Sequence, residues 1–228
     1  IYNGRILRAI SGFYWVKTDS GVIRCKPRGV FRKNKISPVV GDLVKCSVDG
    51  SSGTILEINA RKNYFVRPPL ANLDQLFFVV SACSPSPNFF VIDQLIAIAE
   101  NQRITPILVV TKGDIAPYDF IADYYKKAGY KVFCTNEMNE EKVKALLKLL
   151  NGKTSAVCGN TGVGKSTFLN TLFPFLSLDA GETSEKLGRG RHTTRIVELF
   201  EVGGGYFADT PGFSTVVMDR YGNIPKDT

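Results

Sequence analysis

Two kinds of hydrophobic periodicity divide the chain. From the first residue to about position 60, short runs rich in Val, Ile and aromatic residues (RILRAI, GFYWVKT, GVIRCK, VVGDLVKC and GTILEIN) alternate with turn residues such as Asp19-Ser20-Gly21 and Asp49-Gly50. That spacing predicts about five short strands, enough for a small closed barrel. Further along, continuous apolar runs alternate with amphipathic ones. LFFVVSA, ITPILVVT, KVFCT and TSAVCG read as strands buried on both faces, and NFFVIDQLIAIAENQ, DFIADYYKKAG, EEKVKALLKLL and a segment from Lys165 read as helices. Strand and helix in strict alternation predict a mostly parallel α/β sheet covered on both sides. The stretch RKNYFVRPPLANLDQ, residues 61 to 75, carries Pro68-Pro69 between the two patterns and is the expected connector. The expected domains are therefore residues 1–67, all-β, and 68–228, α/β.

Charge sharpens this division. Residues 1–67 hold 13 Lys and Arg against 4 Asp and Glu, whereas the remainder is nearly neutral, with 16 against 17. A basic five-stranded barrel suggests an oligonucleotide-binding (OB) fold that meets nucleic-acid phosphate. The run RGVFRKNK offers Arg28, Arg32, Lys33 and Lys35 as RNA contacts, while Phe31 could stack on a base or fold back onto the barrel. Of Phe13, Tyr14 and Trp15, at least one should point inward, because neighbouring strand residues face opposite sides. The cysteines, Cys25, Cys46, Cys83, Cys134 and Cys158, form no CxxC pair and predict neither a disulfide framework nor a zinc site. No apolar run approaches the ~20 residues of a membrane span, so a cytoplasmic protein is expected.

Three motifs in the second half carry chemistry. Gly159-Asn160-Thr161-Gly162-Val163-Gly164-Lys165-Ser166, followed by Thr167, matches GxxxxGK[ST] between an apolar strand and a helix. Such a loop turns backbone N–H groups onto phosphate at a helix N-terminus, with Lys165 on the β- and γ-phosphates and the Ser166 hydroxyl on Mg²⁺. Asp209-Thr210-Pro211-Gly212 after GGYFAD offers Asp209 to the same Mg²⁺ and the Gly212 N–H to the γ-phosphate. Thr111-Lys112-Gly113-Asp114 closes the run ILVV. The Asp114 carboxylate can accept two hydrogen bonds from guanine, which adenine cannot supply, and the Lys112 stem can cover the base. Cys134-Thr135-Asn136 ends the next strand and would present backbone to guanine O6.

Between the phosphate loop and DTPG lies LGRGRHTTR, residues 187 to 195. Thr193 or Thr194, preferably Thr194, can complete the Mg²⁺ shell, and Gly188 and Gly190 suit a segment that orders on γ-phosphate. Position 213, after DxxG, is Phe rather than Gln, so the attacking water needs another partner. His192, the single histidine, is either that partner or an exposed loop residue.

The order TKGD, GNTGVGKS, LGRGRHTTR, DTPGF behind a basic barrel resembles the RsgA (YjeQ/YloQ) family of circularly permuted GTPases, including the phrase VRPPLANLDQ. The resemblance implies motif order G4-G5-G1-G2-G3. It also implies a GTPase, slow alone, stimulated by the small (30S) ribosomal subunit and acting late in its maturation. The barrel would contact 16S rRNA, GTP hydrolysis would drive release, and His192 would serve hydrolysis. Apart from the resemblance, nothing in the sequence suggests an obligate oligomer, so a monomer is expected. The family's C-terminal zinc module has no counterpart in these 228 residues, so Zn²⁺ is implied only with such a module. Two other readings remain: an RNA-binding assembly module using GTP as a conformational ligand, and a permuted GTPase of large-subunit assembly.

Overall fold

The computed structural model describes residues 1–33, 36–50, 52–66, 68–174 and 197–209. Its N-terminal part is a barrel of β1 (Tyr2–Ile10), β2 (Phe13–Thr18), β3 (Gly21–Pro27), β4 (Leu43–Asp49) and β5 (Ser52–Ile58). The strands run in the order β1-β2-β3-β5-β4, with β3 parallel to β5, and β4 returns to β1 through Tyr2↔Cys46 and Arg5↔Leu43 to close the sheet. This is the expected OB-type barrel. Its core is Ile6, Val16, Cys25, Val44, Cys46 and Ile55.

Two details differ from the sequence reading. Within RGVFRKNK, for which no element is expected, Gly29–Lys33 forms a short helix, α1, whose Phe31 is buried in the barrel core. Phe31 is therefore core rather than a base-stacking residue. VVGDLVKC is strand only from Leu43 onward, because the Asp42 carboxylate accepts from the Val39 N–H at 2.8 Å and turns the chain before it.

The second part is a parallel sheet of β8 (Gln75–Ser81), β9 (Thr105–Thr111), β10 (Lys131–Cys134), β11 (Thr154–Cys158) and β13 (Gly205–Asp209), with β12 (Glu198–Val202) antiparallel at its side. Every residue of β8 is buried, and the two-residue period splits them between faces. Leu76, Phe78 and Val80 join Ile92, Ile96 and Ile121 of α2 (Phe89–Asn101) and α3 (Asp119–Lys127). Phe77 and Val79 join Leu146, Leu150 and Phe168 of α4 (Glu140–Leu150) and α5 (Lys165–Leu172). Asn88 and Asn139 cap α2 and α4 by accepting from Val91 N–H and Lys142 N–H. No helix among the described residues is long and apolar enough to cross a membrane.

The described residues of the connector at 61–75 are packed. Tyr64–Phe65 (β6) and Leu70–Ala71 (β7) form a small hairpin whose Phe65, Leu70 and Leu73 enter the core that also holds α2. Asn63 donates to Leu73 O and accepts from Leu73 N–H, both at 2.8 Å, and Arg61 pairs with the fully buried Asp42 of the barrel at 2.6 Å. Barrel and parallel sheet also share a continuous order, because β12 pairs with β1 through Arg8↔Glu198.

Candidate functional site

Parallel strands in the order β10-β9-β8-β11-β13 deliver their carboxyl ends to one edge, where a wound sheet gathers its ligand loops. Ser81 lies opposite Thr111, and Val110 opposite Cys134, so TKGD and CTN leave the sheet side by side. The 159–164 loop leaves β11, which is flanked by β8 and β13. Asp209 ends β13 two residues beyond the Ser155↔Phe207 pair.

The phosphate loop is built tightly. Gly159 sits at φ +149, and a Cβ there would lie 2.5 Å from Val79 O, so no larger residue fits without moving backbone. Gly164 adopts a left-handed conformation as the N-cap of α5, which opens the first N–H groups of that helix to an anion. Lys165 Nζ donates to Gly159 O and Asn160 O, both at 2.7 Å, holding its ammonium across the mouth of the loop. The Ser166 hydroxyl is buried without a hydrogen-bond partner among the described residues. A buried orphan hydroxyl in the first helical turn, beside a lysine ammonium, suits a hard cation with phosphate oxygens. Asn160, Thr161, Gly162 and Thr167 are exposed, whereas Val163 is buried and anchors the loop in the core beneath α4 and α5.

The TKGD segment is joined to that loop directly. Thr111 is buried, and its hydroxyl lies 2.5 Å from Val163 O and 3.3 Å from Val80 O. Its side chain thus faces the phosphate loop rather than open solvent. Lys112 adopts φ 60, and its ammonium donates to Ser84 O in the segment after β8. A Cβ on Gly113 would come within 2.5 Å of both Asn136 Oδ1 and the Tyr118 ring, so the loop packs against CTN only because this residue is glycine. Asp114 is exposed at the rim. The Cys134 thiol is buried, and burial followed by the nearby Glu137 pushes its pKa up to about 11. Thr135–Glu137 form a 3₁₀ turn. Glu137 accepts from the Tyr118 hydroxyl and pairs with Lys142 at 2.5 Å, and the Lys142 bond above all lowers its pKa. The sequence reading missed Ser84, Tyr118 and Glu137, since turn residues and a lone aromatic carry no motif.

Lys35, His192, Thr193, Thr194, Thr210 and Gly212 lie outside the described residues, as do the side chains of Arg32, Lys33 and Asp209. On the barrel, Arg28 is exposed. Tyr14 packs on the barrel core, and its neighbours face cations. The Phe13 ring has the Arg24 guanidinium at 4.7 Å and Lys26 Nζ at 4.9 Å, and Trp15 has the Arg8 guanidinium at 5.4 Å.

A doubly covered sheet with a phosphate loop on one strand and a guanine loop two strands away, the latter earlier in the chain, defines a circularly permuted P-loop GTPase. The family described as RsgA GTPase matches residues 58–219, and that described as RsgA N-terminal domain matches residues 3–55. The chain is 44% identical to the small ribosomal subunit biogenesis GTPase RsgA of Geobacillus thermodenitrificans and 46% identical to that of Geobacillus kaustophilus, each over 95% of this chain and 76% of the relative. Two crystal structures superpose on it. YloQ, a circularly permuted GTPase, does so with TM-score 0.72 at 34% identity, over 96% of this chain and 74% of that one. YjeQ from Thermotoga maritima does so with TM-score 0.73 at 28% identity, over 93% and 75%. The chain belongs to the RsgA family and is a GTP hydrolase.

Proposed function

We propose that this GTPase acts on the small ribosomal subunit in the cytoplasm as a monomer, contacts 16S rRNA through its barrel, assists late maturation and leaves on GTP hydrolysis. The barrel domain would span residues 1–67 and the permuted GTPase domain 68–228. The observation that carries the reading is the contact between Thr111 of the guanine loop and Val163 of the phosphate loop in a chain so similar to small-subunit GTPases.

Asp114 selects guanine through a bidentate acceptor, with the Lys112 stem and the Thr135-Asn136 backbone beside the base. Residues 159–167 hold the phosphates by N–H groups at the start of α5, and Lys165 exchanges its loop carbonyls for phosphate oxygens. Ser166, Thr194 and Asp209 would hold Mg²⁺, which neutralises phosphate charge when bound. His192 orients the attacking water, and the Gly212 N–H reports the γ-phosphate. Arg28, Arg32, Lys33 and Lys35 meet rRNA phosphate, while Phe13 and Trp15 with Arg8, Arg24 and Lys26 offer stacking surface.

GTP turnover with and without saturating purified small subunits tests this. Slow turnover alone and a large stimulation by small subunits are expected, whereas no stimulation, or equal stimulation by large subunits, would overturn it. A Lys165→Ala chain that still matured subunits normally would favour GTP as a conformational ligand only.

A further inference from the structure

The groove between α2 and α3 is unused by the nucleotide chemistry. Asp93, Ile96, Ala97 and Glu100 stand at i, i+3, i+4 and i+7 on α2, forming one wall of a cavity of about 440 Å³. Tyr124, Tyr125 and Tyr130 form the other wall. The lining reaches Asn101 and Tyr130, which precede the amino ends of β9 and β10, whereas the nucleotide loops leave the carboxyl ends. A seven-residue strand separates the two ends by roughly 20 Å.

Its chemistry is the inverse of the barrel's. The lining holds two carboxylates and neither Lys nor Arg, and α2 carries no cation along its 13 residues, in a chain of net charge +8. The walls are aromatic and braced. Tyr124 and Tyr125 meet edge-on at 5.0 Å, Tyr125 and Tyr130 lie 6.3 Å apart, and Phe89 packs behind Tyr124 and Tyr125. The Tyr125 hydroxyl donates to Asp93 at 2.9 Å and that of Tyr130 to Glu100 at 3.1 Å, which fixes the carboxylates toward the groove. Tyr124 of the lining is 53% exposed.

We propose that the α2–α3 groove docks a Lys/Arg-rich peptide segment of a partner protein, its side chains lying against Tyr124 and Tyr130 and pairing with Asp93 and Glu100. Ring faces carry the negative end of the aromatic quadrupole, and a carboxylate beside them adds a charge-assisted acceptor, so a guanidinium or ammonium on an apolar stem fits both. The volume falls in the range of sites that enclose a ligand. Burial first, then the Asp93 hydrogen bond, raises the Tyr125 phenol pKa, so it stays a neutral donor. The inference does not depend on which ribosomal subunit the GTPase serves.

Fluorescence anisotropy of a labelled heptaarginine peptide, titrated with the intact chain at low salt, tests it without ribosomes. Saturable binding is expected, weakened at least ten-fold by Glu100→Gln combined with Tyr124→Ala and largely retained in Tyr124→Phe, with GTP turnover unchanged in both variants. Absence of binding, or equal affinity in the double variant, would overturn the proposal. Displacement by spermidine at the same concentration as by unlabelled peptide would assign the groove to a small polyamine instead. Loss of self-association in the double variant, seen by sedimentation, would assign it to a second copy of the chain; either result removes the peptide.

Discussion

The Thr111 hydroxyl, at the end of β9, lies 2.5 Å from the Val163 carbonyl in the phosphate loop. This contact joins segments 52 residues apart in the chain. Thr111→Val keeps the shape but strands a buried carbonyl, which costs about 1–3 kcal/mol. GTP and GDP affinity should fall about ten-fold by fluorescent-nucleotide titration, and Thr111→Ser should restore most of it.

In the proposed function Asp114 supplies the acceptor pair for guanine. Asp114→Asn should weaken GTP binding by at least about ten-fold and favour xanthosine triphosphate, whose C2 carbonyl suits an amide donor. Competition titration against both nucleotides checks this, and equal affinity of the parent chain for ATP and GTP would refute the assignment.

His192 is assigned a role in hydrolysis rather than binding. His192→Ala should lower subunit-stimulated turnover by about 100-fold, the scale of a lost general acid–base or water-orienting group. GTP affinity should stay near the parent value. Single-turnover kinetics separate the two effects.

The Asp42 carboxylate is fully buried in its pair with Arg61, whose pKa is raised chiefly by that hydrogen bond. Arg61→Ala leaves the charge uncompensated between barrel and connector, a loss of about 2–3 kcal/mol. Urea denaturation should show a lower midpoint, while GTP affinity changes little.

Asp74 joins the connector to the phosphate-loop strand by accepting from Thr154 N–H at 2.7 Å and pairing with Lys62. Burial alone would raise its pKa, but the Lys62 and Thr154 hydrogen bonds outweigh it and the folded-state value lies below the ordinary 3.8. A carboxylate with a depressed folded pKa contributes stability above its unfolded pKa and loses it as pH falls through the folded one. Asp74→Asn should therefore destabilise the chain at neutral pH and flatten the acid limb of the melting-temperature profile below pH ~4.

Much of the site could be read from residues alone because its parts are local. A phosphate loop needs glycines at fixed offsets between a strand and a helix, and Gly159, Gly164 and Lys165 satisfy that within eight positions. Less local features escaped. TKGD reads as a base-recognition phrase, yet which of its side chains turns inward depends on the strand packed beside it. Phe31 was ambiguous for the same reason, since only the closed barrel provides the hole it fills. Ser84 and Tyr118 join the guanine loop through packing that no spacing encodes.

The sequence by itself determined the two element patterns, the chemistry of each loop and the inverted order of the motifs, because periodicity, turn residues and ligand geometry act over a few neighbouring positions. Tertiary structure alone decided three further things: that β12 pairs with β1 and makes barrel and sheet continuous, that Thr111 faces Val163, and that α2 and α3 leave an acidic aromatic groove between them. The physical reason is common to all three. Each depends on which strand edge or helix face remains unpaired after the rest of the chain has packed, and that is a property of the whole fold rather than of any segment.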